Sequence, residues 1–189
     1  AREFLVTQEY DRMIITMGDV PFVSRATYLN LVEGLKANNL MVLGFRPSDK
    51  KQYGVLEIES LNVKRIIEWE YWKTYPAERQ RELQICNSGI YAARKDDLVQ
   101  YLGVLEQRPH AVNKERNGKL VQVEEYFITD LVELMNEDGL DVGVALAKDE
   151  SEVMGVDDLP SLLKAQEIFA GQAMPHGGTG ERGNGGTML

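Results

Sequence analysis

Hydrophobic positions recur along this chain in alternating rhythms: short continuous runs, and stripes at helical spacing between them. The run Met13-Ile14-Ile15-Thr16-Met17 ends abruptly in Gly18-Asp19-Val20-Pro21. A run of this length reads as a strand buried on both faces, the kind found in parallel sheets. Ser24 caps a predicted helix running to residue 37, with Tyr28, Leu31, Val32 and Leu35 on one face. Asn38-Asn39 ends it, and Leu40-Met41-Val42-Leu43-Gly44 reads as a second buried strand. A helix between two apolar strands is the βαβ unit, so the pattern predicts an α/β fold.

Further along, residues 52–59 alternate apolar and charged side chains, and with 63–68 they predict a hairpin. The stretch 69–75 carries both tryptophans and two tyrosines among charges, and reads as an ordered surface loop that packs its rings, with a ligand-stacking platform as the alternative. Pro76 stands where a short helix would begin. A strand is predicted over 83–92, interrupted by Asn87-Ser88-Gly89, small polar groups that are costly in a sheet unless they meet a ligand. A helix over 96–105, a polar loop over 107–119 and a helix over 127–137 follow. Strands over 142–146 and 151–156 and a last helix over 160–169 complete the folded part. The expected organisation is an α/β domain over 1–170 and a glycine-rich, disordered tail over 171–189. That tail holds a formal G-x-G-x-x-G match, Gly178 to Gly183, but no strand precedes it and no helix follows, so the context that gives the motif meaning is missing.

Composition restricts the function classes. A formal net charge of −9 argues against nucleic acid as a partner, since phosphate backbones recruit Lys and Arg. The single cysteine, Cys86, can form no intrachain disulfide, and a reducing, cytoplasmic setting is expected. With only His110 and His176 as histidines, a zinc site of His and Cys is not expected. No apolar stretch is long enough to span a membrane, and no membrane partner is expected.

The first candidate site is the Gly18-Asp19 junction. In open α/β sheets, ligands sit beyond the carboxyl ends of the strands, where Gly18 lets the backbone approach closely. Asp19 there offers a carboxylate to a hard cation such as Mg²⁺. The alternative for Asp19 is a turn-starting or capping residue.

Six segments occur in an order that resembles one family. These are Gly18-Asp19-Val20-Pro21, the hairpin with Tyr53-Gly54, Ile66-Ile67-Glu68, Cys86-Asn87-Ser88-Gly89-Ile90, Glu125-Tyr126-Phe127-Ile128-Thr129-Asp130 and Glu152-Val153-Met154-Gly155-Val156-Asp157. Over residues 8–170 the chain resembles the uridylyltransferase domain of the bacterial bifunctional N-acetylglucosamine-1-phosphate uridyltransferases (GlmU type). The resemblance implies a Rossmann-like nucleotidyltransferase fold, a mixed, mostly parallel sheet flanked by helices. It implies that UDP-N-acetylglucosamine and pyrophosphate are made from UTP and N-acetylglucosamine 1-phosphate with Mg²⁺. Asp19 and Asp157 match the family's metal ligands, Asp157 replacing an Asn; the alternative for Asp157 is an acidic residue ahead of the last helix. Asn87, Gly54 and Glu68 match the sugar-binding positions, and Tyr126 and Thr129 match the segment beside the acetamido pocket, with Gly18 at the ligand edge. Asn87 as a satisfied core amide and Thr129 as an interior helix residue are the alternatives.

Beyond Asp157, the sequence departs from the family elsewhere. The family's Glu-x-Lys-Asp-Ala run is here Glu68-Trp69-Glu70-Tyr71-Trp72. Its glycine-rich phosphate loop and base-reading segment have no counterpart, so an N-terminally incomplete fold is expected, with an exposed sheet edge that favours a homo-oligomer. A non-catalytic relic that keeps the sugar-binding half is the alternative function.

Overall fold

Successive residues of the strand Leu40–Phe45 feed two different cores. Leu40 and Val42 pack with Tyr91, Ala93 and Val142 on one side, while Met41, Leu43 and Phe45 pack with Ile90, Ala92 and Leu31 on the other. All six positions of this strand are buried, which identifies it as the centre of a sheet covered on both faces.

The protein is described here by a computed structural model covering residues 2–116 and 118–173. It divides into two units, Ala1–Met154 and Gly155–Leu189. The first contains, in chain order, α1 (Arg2–Val6), β1 (Arg12–Ile15), α2 (Arg25–Gly34), β2 (Leu40–Phe45), β3 (Val55–Glu59), β4 (Asn62–Ile67), α3 (Trp69–Trp72), α4 (Ala77–Glu82), β5 (Cys86–Arg94), α5 (Lys95–Leu105), β6 (His110–Arg116), β7 (Lys119–Glu125), α6 (Asp130–Glu137), β8 (Val142–Leu146) and a 3-10 turn at Glu150–Val153. The second contains α7 (Leu159–Ala173).

The main sheet has the order β1-β5-β2-β8-β4-β3. Helices α5 and α6 supply Leu98, Tyr101, Leu131 and Met135 to one core, and α2 with its C-cap supplies Leu31 and Leu35 to the other. Each such side chain contributes roughly 1.5–3 kcal/mol by leaving water. The expected mixed α/β sheet flanked by helices is therefore present. It is mostly antiparallel where a mostly parallel sheet was expected, because β5 and the β3–β4 hairpin run against their neighbours. Its parallel neighbours are β2 and β8, and its other pairings are antiparallel.

Several elements differ from expectation. The 13–17 run is not buried on both faces: β1 is an edge strand paired antiparallel to β5 alone, and Ile14 and Met17 are 41% and 51% exposed. An apolar run does not distinguish a central strand from an edge, because cover is set by neighbours remote in sequence. The βαβ relation survives in altered form. Strands β1 and β2 are both antiparallel to β5, so they run in the same sense with β5 inserted between them.

The expected loop over 107–119 is instead a hairpin, β6–β7, paired from His110↔Glu125 to Arg116↔Lys119. Much of β7 is exposed, so no apolar alternation marks it. The expected strand over 151–156 is replaced by the 3-10 turn, where the Asp149 carboxylate accepts the Ser151 N–H at 2.9 Å. The stretch 69–75 opens with the one-turn helix α3 and buries Trp72, whose Nε1 donates to the Tyr53 carbonyl at 2.9 Å. Helix α6 begins at Asp130, so Thr129 is not interior but stands at its N-cap position. Of the expected tail, 171–173 continues α7; the Gly178 to Gly183 motif lies outside the described residues.

Candidate functional site

The Asn87-Ser88-Gly89 interruption of β5 is a bulge that satisfies itself. The β2–β5 register shifts between Val42 and Gly44, and Gly89 adopts φ +76°, a conformation that favours glycine. The Asn87 side-chain oxygen accepts the Gly89 N–H at 3.2 Å, and its Nδ2 donates to the Tyr91 hydroxyl at 2.8 Å. Ser88 Oγ donates to the Leu43 carbonyl at 2.7 Å and accepts the Ile90 N–H at 3.2 Å. These polar groups thus hold the bulge, and Asn87 keeps one donor hydrogen to spare.

From the bulge, a linked set of contacts reaches the other expected sugar-site residues. The Asn87 N–H donates to the Gly54 carbonyl at 2.8 Å. A methyl group built on Gly54 would lie 3.2 Å from Glu68 Oε2 and 3.1 Å from Ile66 Cγ2, so the backbone leaves space there that the carboxylate uses. Glu68 ends the β4 segment at the N-cap of α3, with no capping bond from its side chain. Loss of water raises its carboxyl above the usual glutamate value; a hydrogen bond from the Thr129 hydroxyl opposes the shift, and the charges of Glu70 and Asp130 add to it. The Tyr91 phenol, buried beneath, is pushed up to about 12, chiefly by burial, against the Asn87 hydrogen bond and with the Glu68 charge.

Glu68, Tyr126 and Thr129 line one cavity of about 800 Å³. Its walls also carry Tyr71, His110 and Phe127. His110 Nε2 lies 2.6 Å from Asp130 Oδ2, and its ring sits 4.9 Å from that of Phe127. Thus the base of the β6–β7 hairpin is tied to the first turn of α6. Sequence reasoning missed this pair because the hairpin that positions His110 carries no apolar signal. Aromatic faces beside carboxylates suit a ligand with apolar C–H faces and hydroxyl donors.

Gly18 and Asp19 form a turn just beyond β1. No atom approaches within 4 Å of a methyl group built on Gly18, while Met17 packs against the Gly89 side of the bulge. The Asp19 carboxylate is half-buried and has no hydrogen bond or ion pair among the described residues. Asp157 is an exposed residue of the second unit, ahead of α7. Glu152, quoted in its motif without a role, is buried and anchors the turn after β8 to the start of α2. It accepts from Thr27 Oγ1 at 3.0 Å and from the Lys148 N–H at 2.8 Å. Burial pushes its carboxyl up, but hydrogen bonds from the Lys148 backbone, Ser24 and Thr27 outweigh that and hold it below the usual value.

No family model matches the chain. Among solved structures, CMP:2-keto-3-deoxy-manno-octonic acid synthetase, complexed with CTP, aligns with a TM-score of 0.58 at 17% identity, covering 90% of this chain and 66% of that one. The nucleoside-diphosphate-sugar pyrophosphorylase of Vibrio cholerae RC9 aligns with a TM-score of 0.53 at 17% identity, covering 83% and 57%. Likeness at these identities defines the fold, which is the α/β fold of nucleotide-sugar nucleotidyltransferases. In sequence, the bifunctional protein GlmU of Ruegeria sp. (strain TM1040) is 30% identical over 161 residues, 85% of this chain and 32% of its own length. The chain carries a GlmU-like domain, and spans about a third of the length of the curated relatives it matches.

Proposed function

We propose that the cavity beside Glu68 holds the sugar of N-acetylglucosamine 1-phosphate, and that the domain serves uridylyl transfer from UTP to that phosphate. In that reaction a phosphate oxygen of the sugar phosphate forms a bond to the α-phosphorus of UTP, the bond to the β-phosphate breaks, and pyrophosphate leaves. One observation carries the sugar side of this reading. Of four residues scattered over 76 positions of sequence, Glu68 and Thr129 line the cavity, Gly54 packs against Glu68, and Asn87 is joined to Gly54 by a backbone hydrogen bond. In this reading Glu68 accepts from a sugar hydroxyl, the spare Asn87 N–H donates, and Tyr126 and Phe127 flank the ring.

Two polyanions must meet in this chemistry, and Mg²⁺ would supply the offsetting charge. Among the described residues no three His, Cys, Asp or Glu side chains converge on a metal position. The unpaired Asp19 carboxylate fits a cation held by few carboxylates, with phosphate oxygens and water completing its shell. The assignment of Asp157 as a second ligand rests on the resemblance.

Calorimetric titration with N-acetylglucosamine 1-phosphate tests the reading. Binding that weakens at least tenfold in both Glu68→Ala and Thr129→Val supports it; no binding, or binding indifferent to both substitutions, overturns it. Release of pyrophosphate on adding UTP and Mg²⁺ separates a transferase from the non-catalytic, sugar-binding alternative.

A further inference from the structure

A second cavity, of about 660 Å³, is lined by Arg46, Lys50, Lys51 and Arg81 around Trp72, with Asp49 as the one carboxylate of its lining. We propose that it is a binding site for a diphosphate group, distinct from the cavity beside Glu68.

None of these four cations forms an ion pair among the described residues. Other cations of the domain meet carboxylates, such as Arg65 and Arg79, which both pair with Glu57, and Lys114, which pairs with Glu125. In this cavity Arg46 Nη1 donates to the neutral Gln84 Oε1 at 3.0 Å. Lys50 Nζ donates to the Leu83 carbonyl at 3.1 Å and to that of Gln80, and sits 4.8 Å from the centroid of a Trp72 ring. Lys50 thereby fastens the end of α4 while its charge stays unneutralised. The side chains of Lys51 and Arg81 are exposed and make no hydrogen bond or ion pair among the described residues. The nearby carboxylates are committed to backbone. Asp49 Oδ1 accepts the Lys51 N–H at 3.0 Å, and Glu150 accepts the Ser48 N–H at 2.8 Å.

The backbone adds to this picture. Lys51 adopts φ +44°, a conformation that costs energy for a residue with a Cβ. Four cations face the carboxylates of Asp49 and Glu150, which keep their charge while accepting neutral N–H groups, so the concavity holds a local positive excess in a chain of net charge −9. Guanidinium and ammonium groups together match phosphate oxygens, the former through paired N–H donors and the latter as a point charge. A diphosphate spans such a cluster. Free pyrophosphate and the phosphate chain of a nucleotide both carry that group.

The test is calorimetric titration of the whole chain with inorganic pyrophosphate, without metal, at physiological salt. Binding is expected, and the double variant Lys51→Gln/Arg81→Gln weakens it at least tenfold at unchanged Tm. The charge-preserving Lys51→Arg/Arg81→Lys keeps affinity within about threefold, and Lys119→Gln and Glu68→Ala leave it unchanged. A repeat with UTP distinguishes the source: tighter binding than pyrophosphate assigns the site to a nucleotide, equal binding to the diphosphate alone. Absence of pyrophosphate binding, or equal loss in Lys119→Gln, overturns the proposal. Because Glu68→Ala removes the sugar site without touching this one, failure of one assignment is visible apart from failure of the other.

Discussion

The cavity beside Glu68 and the cavity around Trp72 draw on neighbouring stretches of chain and carry opposite charge. Around the first stand Glu68, Glu70, Asp130 and Glu133, and its two basic residues are engaged: Arg65 Nε donates to Glu57 at 2.6 Å and His110 faces Asp130. Around the second stand four cations facing neutral partners or solvent. A surplus of carboxylates repels phosphate and accepts from hydroxyls; a surplus of cations does the reverse. Net charge, the quantity read most directly from composition, conceals this division. The chain is acidic as a whole and contains a basic concavity nonetheless.

The sharpest way to break the comparison is to remove the floor of the basic cavity. Trp72 is only 6% exposed, it anchors the Tyr53 carbonyl, and Lys50 lies over its ring. Trp72→Ala should cost about 3–5 kcal/mol in chemical denaturation, with pyrophosphate affinity falling further than sugar-phosphate affinity. A greater loss for the sugar phosphate would mean that the cavities are not independent. The cost should exceed that of any exposed substitution near it, such as Arg81→Gln, which stays within about 0.5 kcal/mol.

Much of this was legible in the chain, and the exceptions share a cause. The helix between the apolar runs, the turn at Gly18-Asp19, and the convergence of Gly54, Glu68 and Thr129 follow from local pattern and motif order. The misreadings concern what each element meets. The 13–17 run is as apolar as 40–44, yet one is an edge and the other central. The β6–β7 hairpin has no buried stripe to announce it, so His110 gave no sign of reaching Asp130. Asn87 spends its side-chain oxygen and one amide hydrogen on Gly89 and Tyr91, partners that motif order does not name, and keeps one hydrogen free. Arg46 and Arg81 lie 35 positions apart, and no periodicity links a loop to a helix across a cavity.

A subtler probe acts on the acidic cavity alone. Gly54 has no positive φ, so alanine introduces no backbone strain, only a methyl group 3.2 Å from Glu68 Oε2 and 3.1 Å from Ile66 Cγ2. The carboxylate must give by a few tenths of an ångström. Gly54→Ala should therefore weaken binding of N-acetylglucosamine 1-phosphate about tenfold, about 1.4 kcal/mol, with little change in Tm. Pyrophosphate affinity should stay as it was. Equal losses for both ligands would show that the 46–54 loop couples the two sites.

The smallest effect is a pH dependence, and it distinguishes the cavity carboxylate from the anchoring one by sign. Glu68 is raised, chiefly by loss of water, so the folded state holds its proton more tightly than the unfolded chain does. That contribution to stability is fully present below about pH 4.5 and is lost as pH rises through the folded value. Glu68→Gln should thus melt above the wild type at pH 7, by no more than about 2 °C for a surface position, and the gap should close towards pH 4. Glu152 runs the other way. Burial raises its carboxyl but its hydrogen-bond donors lower it further, so its contribution is present above pH 4.5 and is lost as pH falls through the folded value. Glu152→Gln should destabilise at pH 7 and lose that penalty in acid. Melting curves of both variants across pH 3.5–7.5 check the pair: slopes of the same sign would mean that Glu68 is solvated like any surface glutamate, and would take from the acidic cavity the carboxylate environment on which its sugar-binding role depends.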